Sequence, residues 1–195
     1  LAAATAAGTG ITTGLSAGAT DRLADARLLA DARAGDGRAL GRLLEPHEAP
    51  LYRLCLGVLH HPQDAEDAVQ EAFIRAIKSL GGFRADAGLR TWLYRIALNV
   101  CLERKRSARP VEPLYEETLV TEAGSLEDAA LARMRAMQAL ATLKPHHRAA
   151  LVMKEVEGFS VEEIGAAMGW NRKKAENELY QARRALAEWR LAQQE

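Results

Sequence analysis

The sequence predicts an all-α protein made of two small helical domains joined by an acidic linker. Three observations predict it. Apolar residues recur at helical spacing along most of the chain, and no stretch alternates as a half-buried strand would. The segment holding Pro110 and Pro113 breaks that periodicity, and every charged residue from Val111 to Asp128 is acidic. Near the C-terminus a short helical pattern, a Gly-containing turn and a longer helical pattern succeed one another, the spacing of a helix-turn-helix.

Leu1–Thr20 is uncharged and rich in Ala, Gly and Thr. It lacks the cationic start and dense apolar core of a secretory signal, so a disordered or appended tail is expected at 1–20. The expected first domain is 21–107. Asp21–Ala34 reads as a helix stopped by Gly35-Asp36-Gly37, and Arg38–Glu45 as a short helix ending at Pro46. Pro50–His60 is an apolar helix closed by Pro62. Asp64 starts another, with its acids in the first turn where the helix dipole favours them. Val69, Phe73, Ile77 and Leu80 give that helix one stripe expected to be buried, and Gly81-Gly82 ends it. Leu89–Arg106 is the next helix. Leu89, Leu93, Ile96 and Val100 form its expected core stripe, and Trp92, Arg95, Asn99 and Arg106 a neighbouring one.

The acidic linker is expected at 108–128 and the second domain at 129–195. Its apolar pattern begins near Leu126 and runs through Leu131, Met134, Met137, Leu140 and Leu143. Pro145 suits the first turn of a helix burying Ala149, Leu151, Val152 and Val156, with Gly158 as the stop. Ser160 and Glu163 form a capping-box pattern. Ser160–Met168, the turn Gly169-Trp170-Asn171 and Arg172–Glu188 make the helix-turn-helix. Ile164, Met168, Ala175 and Leu179 are its expected inner face, and Gly165 leaves room for close packing.

Charge distribution carries more than the total. Lys and Arg number 26 and Asp and Glu 26, so the net charge is zero and by itself argues neither for nor against nucleic acid. Locally, bases dominate from Phe83 to Arg109. Carboxylates at the start of the Asp64 helix suit a basic protein surface. Trp92, Tyr94, Arg90, Arg95 and Asn99, with Arg104-Lys105-Arg106 beyond them, suit nucleic acid with exposed bases: flat side chains stack and cations meet phosphates. The plain alternative for Trp92 is a half-buried core aromatic. Arg172, Lys173 and Lys174 at the start of the last helix, with Arg183 and Arg184 further on, suit duplex DNA, or else make a solvated basic face.

Cys55 and Cys101 lie in apolar contexts and read as buried free thiols in a reducing cytoplasm. No apolar run approaches the ~18 residues needed to span a bilayer, so no membrane insertion is expected.

Together the two halves resemble the sigma-70 family, extracytoplasmic-function (ECF, group 4) RNA polymerase sigma factors. In region 2 the matching residues are LYRLCLGVL at Leu51–Leu59, DAEDAVQEAFIRAI at Asp64–Ile77, Phe83-Arg84 and TWLYRIALN at Thr91–Asn99. In region 4 they are LKPHHRAALVMKEVEGFSVEEIGAAMG at Leu143–Gly169 and LYQARRAL at Leu179–Leu186. The resemblance implies a bacterial cytoplasmic promoter-specificity subunit with no catalysis of its own and no cofactor. It implies that Asp64, Glu66, Asp67, Gln70 and Glu71 dock on core RNA polymerase, whose clamp helices and flap are the expected contacts. Arg84, Arg90, Thr91, Trp92, Arg95, Asn99, Arg104, Lys105 and Arg106 would hold the melted −10 element. Asn171, Arg172, Lys173, Lys174, Glu176, Asn177, Arg183 and Arg184 would read the −35 duplex. An anti-sigma factor and a stress or envelope regulon are implied as well. In the family the linker runs toward the RNA exit channel, where an acidic chain can mimic RNA. One departure is Glu176-Asn177-Glu178, where the family carries small, hydroxyl or basic residues; carboxylates are unfavourable near phosphates unless a cytosine amino group or a neighbouring cation meets them.

Two other readings stand beside it. A stand-alone helix-turn-helix regulator explains Ser160–Leu186 but leaves Asp64–Arg106 without a role. An enzyme would have to use His60-His61, His146-His147 or Cys55. Adjacent helical residues point about 100° apart, so neither histidine pair is expected to converge on a metal, and no nucleotide loop or catalytic motif is present.

Overall fold

The computed structural model describes residues 26–84, 88–107 and 126–192, with side chains from 134 onward in the last of these spans. The expected tail at 1–20 and nearly all of the expected linker lie outside the described residues. The described residues form helices and no strand. They fall into two compact units, Leu1–Pro46 and His47–Glu195.

The first unit holds α1 (26–33) and α2 (Gly37–Leu44). Asp36 caps α2, its carboxylate accepting from the backbone N–H groups of Arg38 and Ala39. These donors have no carbonyl partner within the helix, so the cap satisfies them. Ala39, Leu43 and Leu44 are its buried residues.

The second unit begins with α3 (Glu48–Leu59), α4 (Pro62–Ser79) and α5 (Leu89–Ser107), each packed on the other two. His60 ends α3 in the left-handed conformation, φ 62°, a position that usually takes glycine. Pro62 does not merely close α3; it is the first residue of α4, with His61 as N-cap. The buried face of α4 is alanine, through Ala65, Ala68, Ala72 and Ala76, with Val69. Of the stripe expected there, Val69 and Leu80 are buried, Phe73 is half-buried and Ile77 is 44% exposed. Small side chains let α4 lie close to α3 and α5, and the larger residues fall to the flanks. In α5 the core extends beyond the expected stripe to Tyr94, Ala97, Leu98 and Cys101, with Ile96 only half-buried and Leu89 likewise. Cys55 and Cys101 are buried free thiols, and the Cys101 thiol is pushed far up by its contact with Cys55 and by burial.

The rest of the unit is α6 (Leu126–Ala141), α7 (Pro145–Leu151), a π-helical turn (Val152–Val156), α8 (Val161–Met168) and α9 (Arg172–Ala192). The π turn adds a residue to the α-helical period. It shifts the facing of the residues after it, so Val156 is 59% exposed rather than buried as periodicity predicted. Met134 is also exposed, whereas Leu143 is buried.

The two halves of this unit pack on each other: α3 on α7 and the π turn, α5 on α8. Gly57 explains the closeness at α3. A Cβ there would lie 2.8 Å from Cγ2 of Val152. Arg148 reaches across from α7, buried, its guanidinium donating to the carbonyls of Val58, Leu143 and Ala141. Those bonds satisfy a charge that would otherwise be costly to bury. Phe159 stacks on Tyr94 with centroids 4.6 Å apart, and both are fully buried.

Candidate nucleic-acid interface

Three surfaces hold the residues singled out by sequence. On α4, Asp64, Glu66 and Gln70 are exposed, while Asp67 and Glu71 are half-buried. Glu71 accepts from Arg104 of α5 at 3.1 Å and from Arg75 at 2.5 Å, and Arg104 also lies 3.8 Å from Asp67. Arg75 bridges on to Glu103 at 2.7 Å, and that contact holds the Glu103 carboxyl below its usual range. Two residues assigned by sequence to different partners, Glu71 and Arg104, are therefore ion-paired to each other.

The second surface lies on α5. Trp92 is half-buried against Phe83, centroids 4.7 Å apart and rings inclined at 39°. Arg95 and Asn99 come next on the same face and are exposed, as are Arg84, Lys105 and Arg106. This is an aromatic ledge with exposed polar neighbours. Thr91 and Tyr94 are buried and present little surface. Arg90 is engaged elsewhere: its guanidinium stacks 4.0 Å above Phe159 and donates to the backbone carbonyl of Glu157. Arg53 of α3 donates twice to the Glu157 carboxylate, at 2.7 and 3.2 Å. Arg90 thus belongs to the contact between the two halves. Residues 85–87 of the preceding loop lie outside the described residues.

The third surface is α8–α9. Ser160 and Glu163 form both bonds of the capping box. Gly169 takes φ 70°, and a Cβ on Gly165 would meet the Trp170 carbonyl oxygen at 2.8 Å, so the turn needs both glycines. Ile164, Ala175 and Leu179 are buried between the helices, with Met168 half-buried. Asn171 caps α9 through a 2.8 Å bond from the Lys174 N–H. Arg172 is paired with Glu162 at 3.0 Å and Glu176 at 2.9 Å. Lys173 and Asn177 are exposed, and the exposed Lys174 lies 5.5 Å from the Trp170 ring. Arg183 is paired with Glu155 and Arg184 with Glu188. Glu178 turns inward to α7, where His147 Nε2 is 2.8 Å and His146 Nε2 3.4 Å from its Oε2. The expectation that adjacent histidines diverge therefore fails at this pair. Backbone direction alone does not fix where two long, rotatable rings place their outer nitrogens, and a carboxylate between them draws both in.

The family model for sigma-70 region 2 matches residues 43–111, and that for sigma-70 region 4 matches residues 133–186. The chain is 35% identical over 147 residues to the ECF RNA polymerase sigma factor SigM of Mycobacterium tuberculosis, covering 74% of each chain. The chain belongs to the sigma-70 family, in the ECF group. This sigma factor is also 32% identical to the RNA polymerase sigma-H factor of Pseudomonas aeruginosa, over 83% of its own length and 91% of that protein's. Its fold matches CnrH, solved in complex with the cytosolic domain of CnrY, with TM-score 0.69 and 28% identity over 87% of this chain and 98% of that one. It shares a fold with RpoE of Bartonella quintana, solved with the anti-sigma factor NepR, at TM-score 0.62 and 21% identity over 75% and 93%.

Like the rest of its family, the sigma factor binds core RNA polymerase and promoter DNA to initiate transcription. Sigma factors are not enzymes in the catalytic sense. Among the described residues, no helix is long and apolar enough to cross a membrane. Sequence reasoning missed Arg53, Arg148, Glu157 and Phe159, which join the two halves. Buried Arg148 and the Glu157 carboxylate sit in amphipathic patterns that look solvated until the partner half is in place.

Proposed function

We propose that the sigma factor divides its work between its two domains. The domain 21–107 docks on the polymerase clamp helices through Asp64, Glu66, Asp67, Gln70 and Glu71. It holds the unstacked −10 strand on Trp92, Arg95 and Asn99, with Arg84, Arg104, Lys105 and Arg106 near phosphates. The domain 129–195 reads the −35 duplex with α9, meeting the polymerase flap, and the acidic segment 108–128 links the two. The observation that carries the reading is the Trp92–Phe83 ledge with exposed Arg95 and Asn99 beside it. Bases out of the stack need a flat partner and a polar edge, and stacking is worth ~1–3 kcal/mol per base.

This arrangement also supports Arg90 and Thr91 acting indirectly. Arg90 grips Glu157 and Phe159, so it reaches −10 DNA only when the halves separate. An anti-sigma factor holding the bacterial, cytoplasmic protein inactive until a stress or envelope signal is part of the reading, supported by RpoE solved with NepR. In vitro transcription with core polymerase and genomic DNA, with start sites mapped, tests it. Discrete starts sharing two upstream elements are expected. Starts no different from those of core enzyme alone refute it.

A further inference from the structure

The His146, His147 and Glu178 side chains offer three metal-ligating atoms within 4.8 Å of one another. Two come from the first turn of α7 and one from α9, helices that pack directly on each other. Both imidazoles aim Nε2 at one carboxylate oxygen, Oε2, at 3.4 and 2.8 Å. The rings are 4.5 Å apart and nearly perpendicular, so each nitrogen approaches from its own direction. Trp170 lies edge-on to His146 at 6.0 Å, giving the cluster an aromatic wall. His147 is largely buried, while His146 and Glu178 keep partial access to solvent, which leaves an entry path.

We propose that His146, His147 and Glu178 form a binding site for a divalent transition metal of the Zn²⁺ class. Two imidazole nitrogens and one carboxylate oxygen are the ligand types such an ion takes, with bonds of about 2.0–2.2 Å. Four-coordinate ligation at that length places ligand atoms roughly 3.3 Å apart, and the two nitrogen–oxygen separations bracket that spacing. Small side-chain rotations admit the ion, and water or an external ligand takes the fourth position. Imidazoles ligate only when neutral, so occupancy should rise with pH. Other first-row ions bind such a donor set as well, and Cu²⁺ binds more tightly than Zn²⁺. The bound ion pins α7 to α9 and cancels the Glu178 charge beside the basic start of α9. This site does not depend on the promoter assignment.

The test titrates the chelator-stripped full chain with Co²⁺, then Zn²⁺. One equivalent of Co²⁺ should give the visible ligand-field bands of a four-coordinate N/O site, displaced by Zn²⁺, and Zn²⁺ should raise the melting temperature. His146→Gln and Glu178→Gln should each weaken binding by about 10-fold or more with unchanged helicity. His61→Gln should bind as wild type. Absence of bands and of a melting shift at excess metal overturns the site. Bands that persist unchanged in both ligand variants, or that show thiolate charge transfer from Cys55 or Cys101, overturn it too.

Discussion

His60 carries a hidden cost. It is 4% exposed, holds a left-handed backbone, and neither ring nitrogen has a hydrogen-bond partner. Burial pushes its pKa down to about 4, helped by Arg148 and Lys105 nearby. The folded pKa is below the unfolded one, so the unfolded chain binds the proton more readily. Stability is full above about pH 6.5 and is lost as pH falls toward 4, by at most about 3 kcal/mol. Urea unfolding at pH 7 and pH 5 should show the loss in wild type. His60→Asn, which tolerates the same backbone, should flatten it. A second residue-scale expectation concerns Trp92. Trp92→Ala removes the ledge over Phe83, so permanganate reactivity of promoter thymines should fall while initial binding is retained. Unpairing costs a few kcal/mol, and lost stacking of ~1–3 kcal/mol per base decides that balance.

At the scale of the element, α9 is less basic outward than its sequence looks. Arg172 is committed to Glu162 and Glu176, Arg183 to Glu155 and Arg184 to Glu188. Lys173 and Lys174 are exposed cations at its start. Glu176→Lys removes one carboxylate and loosens its hold on Arg172. Nonspecific duplex binding should strengthen and steepen in salt dependence by about one to two counterions, with sequence preference relaxed. Titrations on specific and random duplexes at several salt concentrations measure it, and weaker nonspecific binding rejects it. Element boundaries were legible because their signals are local: Asp36, the Ser160–Glu163 box, Pro145 and Gly169 act within one turn. Burial was less legible in α4 and after Val152. There, alanine packing and a π turn overrode the size and period on which the apolar pattern relies.

On the scale of the whole molecule, the α3–α5 half and the α7–α9 half are clasped together. Arg53 and Arg90 close on Glu157, whose side chain is 4% exposed, and Arg148 ties α7 to the end of α3. Glu157→Ala leaves two partly exposed arginines and removes the carboxylate between them. Losing these charge-assisted bonds should loosen the clasp by about 1–3 kcal/mol. Hydrogen exchange at the amides of Phe159 to Ile164 should quicken while α4 is unchanged; unchanged exchange at α8 refutes it. This contact was not legible in sequence, because residues more than 50 positions apart meet there and each looks like ordinary surface on its own helix. The candidate surfaces were legible in outline, since Trp92, Arg95 and Asn99 share a face by simple arithmetic. That Arg104 and Arg90 already have protein partners was not.

The π turn at Val152–Val156 makes chain length itself a specified quantity. Glu155 and Val156 are exposed, so their side chains tolerate exchange on burial grounds. Their number is constrained in one direction. Removing one residue converts the π turn to an α turn and leaves everything downstream facing as before, whereas adding one turns it by about 100°. With the added residue Glu157 would swing off Arg53, and Phe159 off Tyr94 and Arg90. A library that varies letters here at constant length, or drops one position, should return folded clones, whereas one that adds single positions should return few. The segment therefore works as a spacer that already holds its one spare residue.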